Sequence, residues 1–88
     1  MMEKDVVVKN KFGLHARPAS MLVQTASRFK ASIKVKKDEQ EVDGKSIMGI
    51  MTLAASAGSN VRLIADGLDE QDAINALTEL FEKGFGEE

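Results

Sequence analysis

Ser32-Ile33-Lys34-Val35-Lys36 is the stretch whose reading decides the architecture. Ile33 and Val35 alternate with polar or basic neighbours, so successive side chains point to opposite faces. Such a strand buries one face and wets the other, the habit of an antiparallel sheet covered on one side only. Lys37-Asp38-Glu39 reads as a polar connection, and Gln40-Glu41-Val42 returns as the short second arm of a hairpin. Upstream, Val6-Val7-Val8 is β-branched and bounded by charge, which predicts a strand over 4–9. Downstream, Val61-Arg62-Leu63-Ile64-Ala65 predicts a fourth strand with Val61, Leu63 and Ala65 on one side. Asp66-Gly67 then turns the chain.

Helical periods fill the intervals. Ala19, Leu22, Val23, Ala26 and Phe29 lie on one face of a 3.6-residue repeat, predicting a helix over 16–28. After Asp43-Gly44, residues 46–55 read as a helix that is apolar nearly all round. Ile47, Ile50, Met51 and Ala54 share one side of it, whereas Met48 and Leu53 point elsewhere. A third helix is expected over 70–83, with Asp69 as N-cap and Glu70 and Asp72 at its positive end. Its apolar face is Ala73, Ile74, Leu77, Leu80 and Phe81, and Gly84 ends it. The tail Phe85-Gly86-Glu87-Glu88 is expected to be loose. The order β-α-β-β-α-β-α predicts an α+β, two-layer sandwich, with residues 1–88 forming one small domain.

Composition narrows the function classes. At 43% hydrophobic and 30% charged, the chain is an ordinary globular one rather than a disordered one. With no cysteine and a single histidine, neither a disulfide nor a transition-metal site is expected. The N-terminal apolar run is only Val6-Val7-Val8, too short for a signal peptide or a membrane span, so a cytoplasmic location without membrane insertion is expected. The net charge of −2 argues against direct nucleic-acid binding. Basic residues crowd into 4–37 and acidic ones into 66–88, so the first half could meet an acidic partner.

Chemistry concentrates in Gly13-Leu14-His15-Ala16-Arg17-Pro18-Ala19-Ser20, which holds the only histidine and the only proline. The first helix should begin at His15. Amides of a first turn lack intrahelical acceptors and make an anion site, and Pro18 there sacrifices no bond. The helix N-terminus and Arg17 both disfavour imidazolium, which would leave a nucleophilic ring nitrogen. A phosphoryl group taken by that nitrogen would be held by Arg17 and the helix amides. The plainer alternative is a surface histidine that caps a helix.

Ser46 stands at a second N-cap position. The short helix behind it cannot bury every face, so some of Ile47, Met48 and Met51 should stay exposed as an adaptable apolar patch; as core filler the methionines would need no such role. A phosphate on Ser46 would repel an acidic partner, making this serine a candidate switch for docking.

These two stretches carry a resemblance. Gly13 to Ser20 resembles the active-site signature of the HPr family, the histidine-containing phosphocarriers of the bacterial sugar phosphotransferase system. Lys45-Ser46-Ile47-Met48-Gly49-Ile50-Met51 resembles the family's regulatory-serine signature. The resemblance extends over essentially the whole chain. It implies an open-faced β-sandwich, a four-stranded antiparallel sheet covered on one face by three helices. It implies that His15 takes a phosphoryl group from phospho-enzyme I on Nδ1 and passes it to an EIIA-type acceptor. Arg17 would steady the phosphate, and the backbone of Ala16 and Arg17 would receive it. Ser46 would match the serine phosphorylated with ATP by HPr kinase/phosphorylase. Ile47, Met48 and Met51, with Ser20, Val23 and Gln24 of the first helix, would form the docking surface. The implied protein is a monomeric carrier rather than a free-standing enzyme, and its only added group is covalent phosphate. The alternative is a regulatory adaptor, either a corepressor for a CcpA-type transcription factor or a signalling protein of the nitrogen branch. Asn10-Lys11-Phe12-Gly13 and Lys83-Gly84-Phe85-Gly86 resemble that nitrogen-related branch, whereas Lys45 to Met51 resembles the kinase-regulated one.

Overall fold

The computed structural model describes residues 1–87. Strand β1 (Met2–Val7) leads to helix α1 (Ala16–Ala26), the hairpin β2 (Ser32–Lys37) and β3 (Gln40–Asp43), and the short helix α2 (Ile47–Thr52). Strand β4 (Asn60–Asp66), helix α3 (Glu70–Glu82) and a 3-10 turn (Gly84–Gly86) complete the order. The strands form one antiparallel sheet in the order β1-β4-β2-β3, so β4 lies between the first strand and the hairpin.

Register explains the two faces. Val6 opposes Val61, Ile33 opposes Ala65, and Val35 lies between Leu63 and Val42. All but Val42 are fully buried, as the alternation requires. On the other face Asp5, Arg62, Lys36 and Glu41 align across all four strands, and Asp5 takes two hydrogen bonds from the Arg62 guanidinium at 2.8 and 3.3 Å. Helix α1 buries Pro18, Ala19, Leu22 and Ala26. Helix α3 buries Ala73, Ile74, Leu77 and Phe81. Helix α2 adds Ile50, which completes the layer over the sheet. The expected open-faced sandwich is therefore the observed one.

Four expectations need correction. The first strand occupies Met2–Val7 rather than 4–9, because its partner β4 begins at Asn60 and the ladder ends there. Helix α1 stops at Ala26: Arg28 and Phe29 donate to carbonyls three residues back, Thr25 and Ala26, which tightens the last turn. Leu53 does not point away from the core but is buried with Ile50, one turn earlier on the same face, and Ala54 ends the segment in the left-handed region at φ 50°. Asp69 does stand as the N-cap of α3, its carbonyl accepting from Ala73 N–H, yet its carboxylate makes no bond to that helix. It accepts instead from the backbone N–H groups of Lys30 and Ala31 at 2.8 and 2.9 Å, tying α3 to the loop before β2.

Candidate phosphoryl-transfer site

Gly13 sets the entry to the site. Its φ of 70° favours glycine, and a Cβ there would lie 2.4 Å from the carbonyl oxygen of Ala55. The close approach lets Leu14 N–H donate to that same oxygen at 2.9 Å, stitching the histidine loop to the segment after α2. His15 follows in extended conformation, at φ −76° and ψ −172°, as the N-cap of α1. Its carbonyl accepts from Ala19 N–H, but its side chain makes no capping bond. The ring is 41% exposed, which leaves it reachable by a partner. Phe12 meets it edge-on at 6.4 Å between centroids and is itself 72% exposed. Phe12, Leu14, His15, Met51, Ala54, Ala55 and Ser56 line a shallow recess of about 280 Å³.

The largest departure from expectation is the tail. Phe85 is buried, with its ring 4.9 Å from that of Phe81 in an edge-to-face arrangement. Gly84, Phe85 and Gly86 all take positive φ, and the turn carries Glu87 back to the site. His15 Nε2 lies 3.0 and 3.1 Å from the two Glu87 carboxylate oxygens. Asn10, itself buried, donates from Nδ2 to Glu87 at 3.0 Å and to the Gly13 carbonyl at 2.6 Å. Burial works against ionisation of Glu87. Hydrogen bonds from His15 and Asn10, with the charges of His15 and Arg17, outweigh it and hold the carboxyl below its ordinary range. The sequence-based electrostatics of His15, built from the helix N-terminus and Arg17 alone, therefore omitted a carboxylate in direct contact with the ring. Glu88 lies outside the described residues.

The other expected residues fall into two groups. Arg17 is exposed on the first turn of α1, close enough for its charge to act on Glu87, and makes no side-chain hydrogen bond among the described residues. Ala16 is exposed beside it. Ile47, Met48 and Met51 are 41%, 77% and 44% exposed, so α2 does present an apolar patch. Helix α1 packs against α2; Gln24 is exposed and reaches Ser20 at 3.4 Å, while Val23 is half-buried. Ser46 caps α2, its Oγ accepting from Gly49 N–H at 3.1 Å. It does not join the His15 recess. Met51, five residues further on, lines that recess, so Ser46 sits roughly 8 Å along the helix axis from it.

Sequence reasoning missed Asn10 and Glu87. One signal existed: Phe85 follows Phe81 by four residues and extends the apolar face of α3.

Comparison with known proteins now decides the family. The model "PTS HPr component phosphorylation site" matches residues 2–83. The chain belongs to the HPr family. HPr proteins are phosphocarriers of the phosphotransferase system. The phosphocarrier protein HPr of Xylella fastidiosa is 49% identical over 88 residues, covering 100% of this chain and 99% of that protein. The HPr-like protein Crh of Halalkalibacterium halodurans is 52% identical over 83 residues, 94% of this chain and 99% of Crh. The crystal structure of HPr-C-His from Thermoanaerobacter tengcongensis superposes with a TM-score of 0.96 at 56% identity, over 100% of this chain and 99% of that one. An HPr dimer from the same organism matches at TM-score 0.80 and 55% identity, over 99% and 100%. No described helix is long and apolar enough to cross a membrane.

Proposed function

We propose that this chain works as a single HPr-type domain that takes a phosphoryl group on the His15 ring from phospho-enzyme I and hands it to an EIIA-type acceptor. The observation that carries the reading is the placement of His15: an exposed imidazole at a helix N-terminus whose side chain caps nothing, beside an exposed apolar patch. Arg17 and the amides of Ala16 and Arg17, on the first turn of α1 directly after His15, would supply positive charge to a dianion on the ring. Met51 lines the same recess as His15, so a protein seated on Ile47, Met48 and Met51 would reach the ring. The protein is a consumable intermediate of the relay, and covalent phosphate is its only added group. The test is incubation with phosphoenolpyruvate and enzyme I. An acid-labile label is expected on the wild type and absent from His15→Ala; a label that persists in that variant would remove His15 from the role.

A regulatory reading rests on the kinship with Crh and on the Ser46 cap. A phosphate at Ser46 would sit at the N-terminus of α2, at the edge of the apolar patch and away from the His15 recess. It would therefore act on docking rather than on the histidine, whether the response is weaker transfer or binding to a CcpA-type regulator. ATP with HPr kinase/phosphorylase should give an acid-stable label that Ser46→Ala lacks. The carrier is proposed as a monomer in solution; the dimer known for a relative makes sedimentation at working concentration the deciding measurement.

A further inference from the structure

We propose that Glu87 is a positioning residue for the transfer: it keeps a proton on Nε2 of His15 and thereby commits Nδ1 as the nucleophile. The inference rests on the reading of His15 as the phosphoryl acceptor and adds to it the group that orients the ring. Both Glu87 oxygens face one nitrogen, at 3.0 and 3.1 Å. An ionised carboxylate only accepts hydrogen bonds, so the nitrogen it faces must donate. The neutral ring then carries its hydrogen on Nε2 and its lone pair on Nδ1, which has no hydrogen-bond partner among the described residues. The carboxylate is suited to the task because it is held ionised and because Asn10 fixes it from a buried position.

The chain gives up local comfort for this contact. Phe85 adopts φ 56°, a left-handed conformation that is unfavourable for a residue with a Cβ. Its buried ring against Phe81 offsets that cost and anchors the turn. Gly86 N–H donates to Lys83 and Glu87 N–H to Gly84, each at 3.0 Å, so the two residues beyond the ring have little freedom. A tail serving only to cover α3 would need Phe85; it would not need a carboxylate aimed at the histidine.

The chemical consequence can be followed atom by atom. The Nδ1 lone pair forms the P–N bond as the donor's bond to phosphorus breaks, and that electron pair leaves with the donor nitrogen. The Nε2 proton stays in place, so the ring becomes a phosphorylated imidazolium whose positive charge faces Glu87. A cationic ring is the better leaving group in the next hand-off, because it departs as a neutral imidazole. Glu87 thus serves acceptance and release alike without touching phosphorus.

The test uses the full chain with 15N-labelled histidine. At a pH where the ring is neutral, Nε2 of the wild type should resonate as a protonated nitrogen and Nδ1 as a bare one. In Glu87→Ala both should move toward the averaged positions of a ring exchanging between tautomers. A wild-type spectrum already averaged, or one that Glu87→Ala leaves unchanged, overturns the proposal. Transfer is then followed with phosphoenolpyruvate and enzyme I, and separately with phosphoramidate as a small donor. Glu87→Gln keeps the shape but removes the charge, and should slow uptake about tenfold, less than the hundredfold or more of general acid–base catalysis, because Glu87 orients the ring and takes no proton. Glu82→Gln, which removes an exposed carboxylate paired with Lys9, should leave uptake unchanged. Equal rates in Glu87→Gln and wild type, or equal slowing in Glu82→Gln, would also overturn it. Absence of acid-labile label on the wild type from either donor would sink the carrier reading instead, and the tautomer measurement, which needs no phosphate, would still decide on Glu87.

Discussion

Two helices of this protein begin in nearly the same way and use their first side chain oppositely. His15 before α1 and Ser46 before α2 are both extended residues whose carbonyls accept the first intrahelical bond. Ser46 spends its hydroxyl on the helix, accepting from Gly49 N–H. His15 makes no capping bond with its ring, whose Nε2 meets Glu87, 72 residues on. A cap that satisfies its own helix stabilises the fold, and any change to it is felt there first. A cap whose side chain is free of that duty can bind, react and be released without unravelling anything. The contrast separates a residue suited to regulate from one suited to carry.

The largest expected effect tests whether the histidine end truly depends on its loop. Gly13→Ala forces a methyl against the Ala55 carbonyl at a positive φ, and should destabilise by roughly 2–4 kcal/mol, the range of backbone strain joined to a steric clash. Thermal unfolding would read this as a fall of about 8–30 °C; a fall of only a few degrees would mean that the loop is not pinned as described. The next test sets the two caps against each other. Ser46→Ala should cost about 1 kcal/mol, the usual value of a lost serine cap, and leave the acid-labile label intact. His15→Ala should change urea unfolding little while removing the label. Equal destabilisation by the two would erase the distinction. The smallest effect concerns acid. Backbone N–H donation from Lys30, opposed by burial and reinforced by Ala31, holds the Asp69 carboxyl below its ordinary range. A lowered native value means stability that is fully present above about pH 4, the unfolded range, and lost as pH falls through the native value. Asp69→Asn should therefore flatten the stability curve between pH 5 and acid, relative to wild type, with the difference greatest near neutrality; curves that stay parallel would deny Asp69 that role.

Much of this was legible because it is local. Alternation over 32–36 gave the sheet its two faces, and the loop before His15 together with Pro18 in the first turn gave α1 its start. Ser46 before an apolar run gave the second cap and the exposed methionines. What escaped was of another kind. Leu53 departs from expectation because a helical wheel does not reveal which three-residue spacing the sheet will cover. Asp69 caps α3 by position, yet backbone donors from a distant loop take its carboxylate oxygens. Glu87 belongs to the tail that the sequence predicts to be loose.

The sequence by itself determined the strands, the helices, their apolar faces and the two stretches where chemistry could occur, since each depends on neighbours within a turn or two. Only the tertiary structure decided which groups meet. It brought Gly13 against Ala55, Met51 into the recess of His15, and the Glu87 carboxylate onto Nε2. The physical reason is that a hydrogen bond or a close contact depends on separation in space, whereas periodicity and capping are properties of adjacent residues.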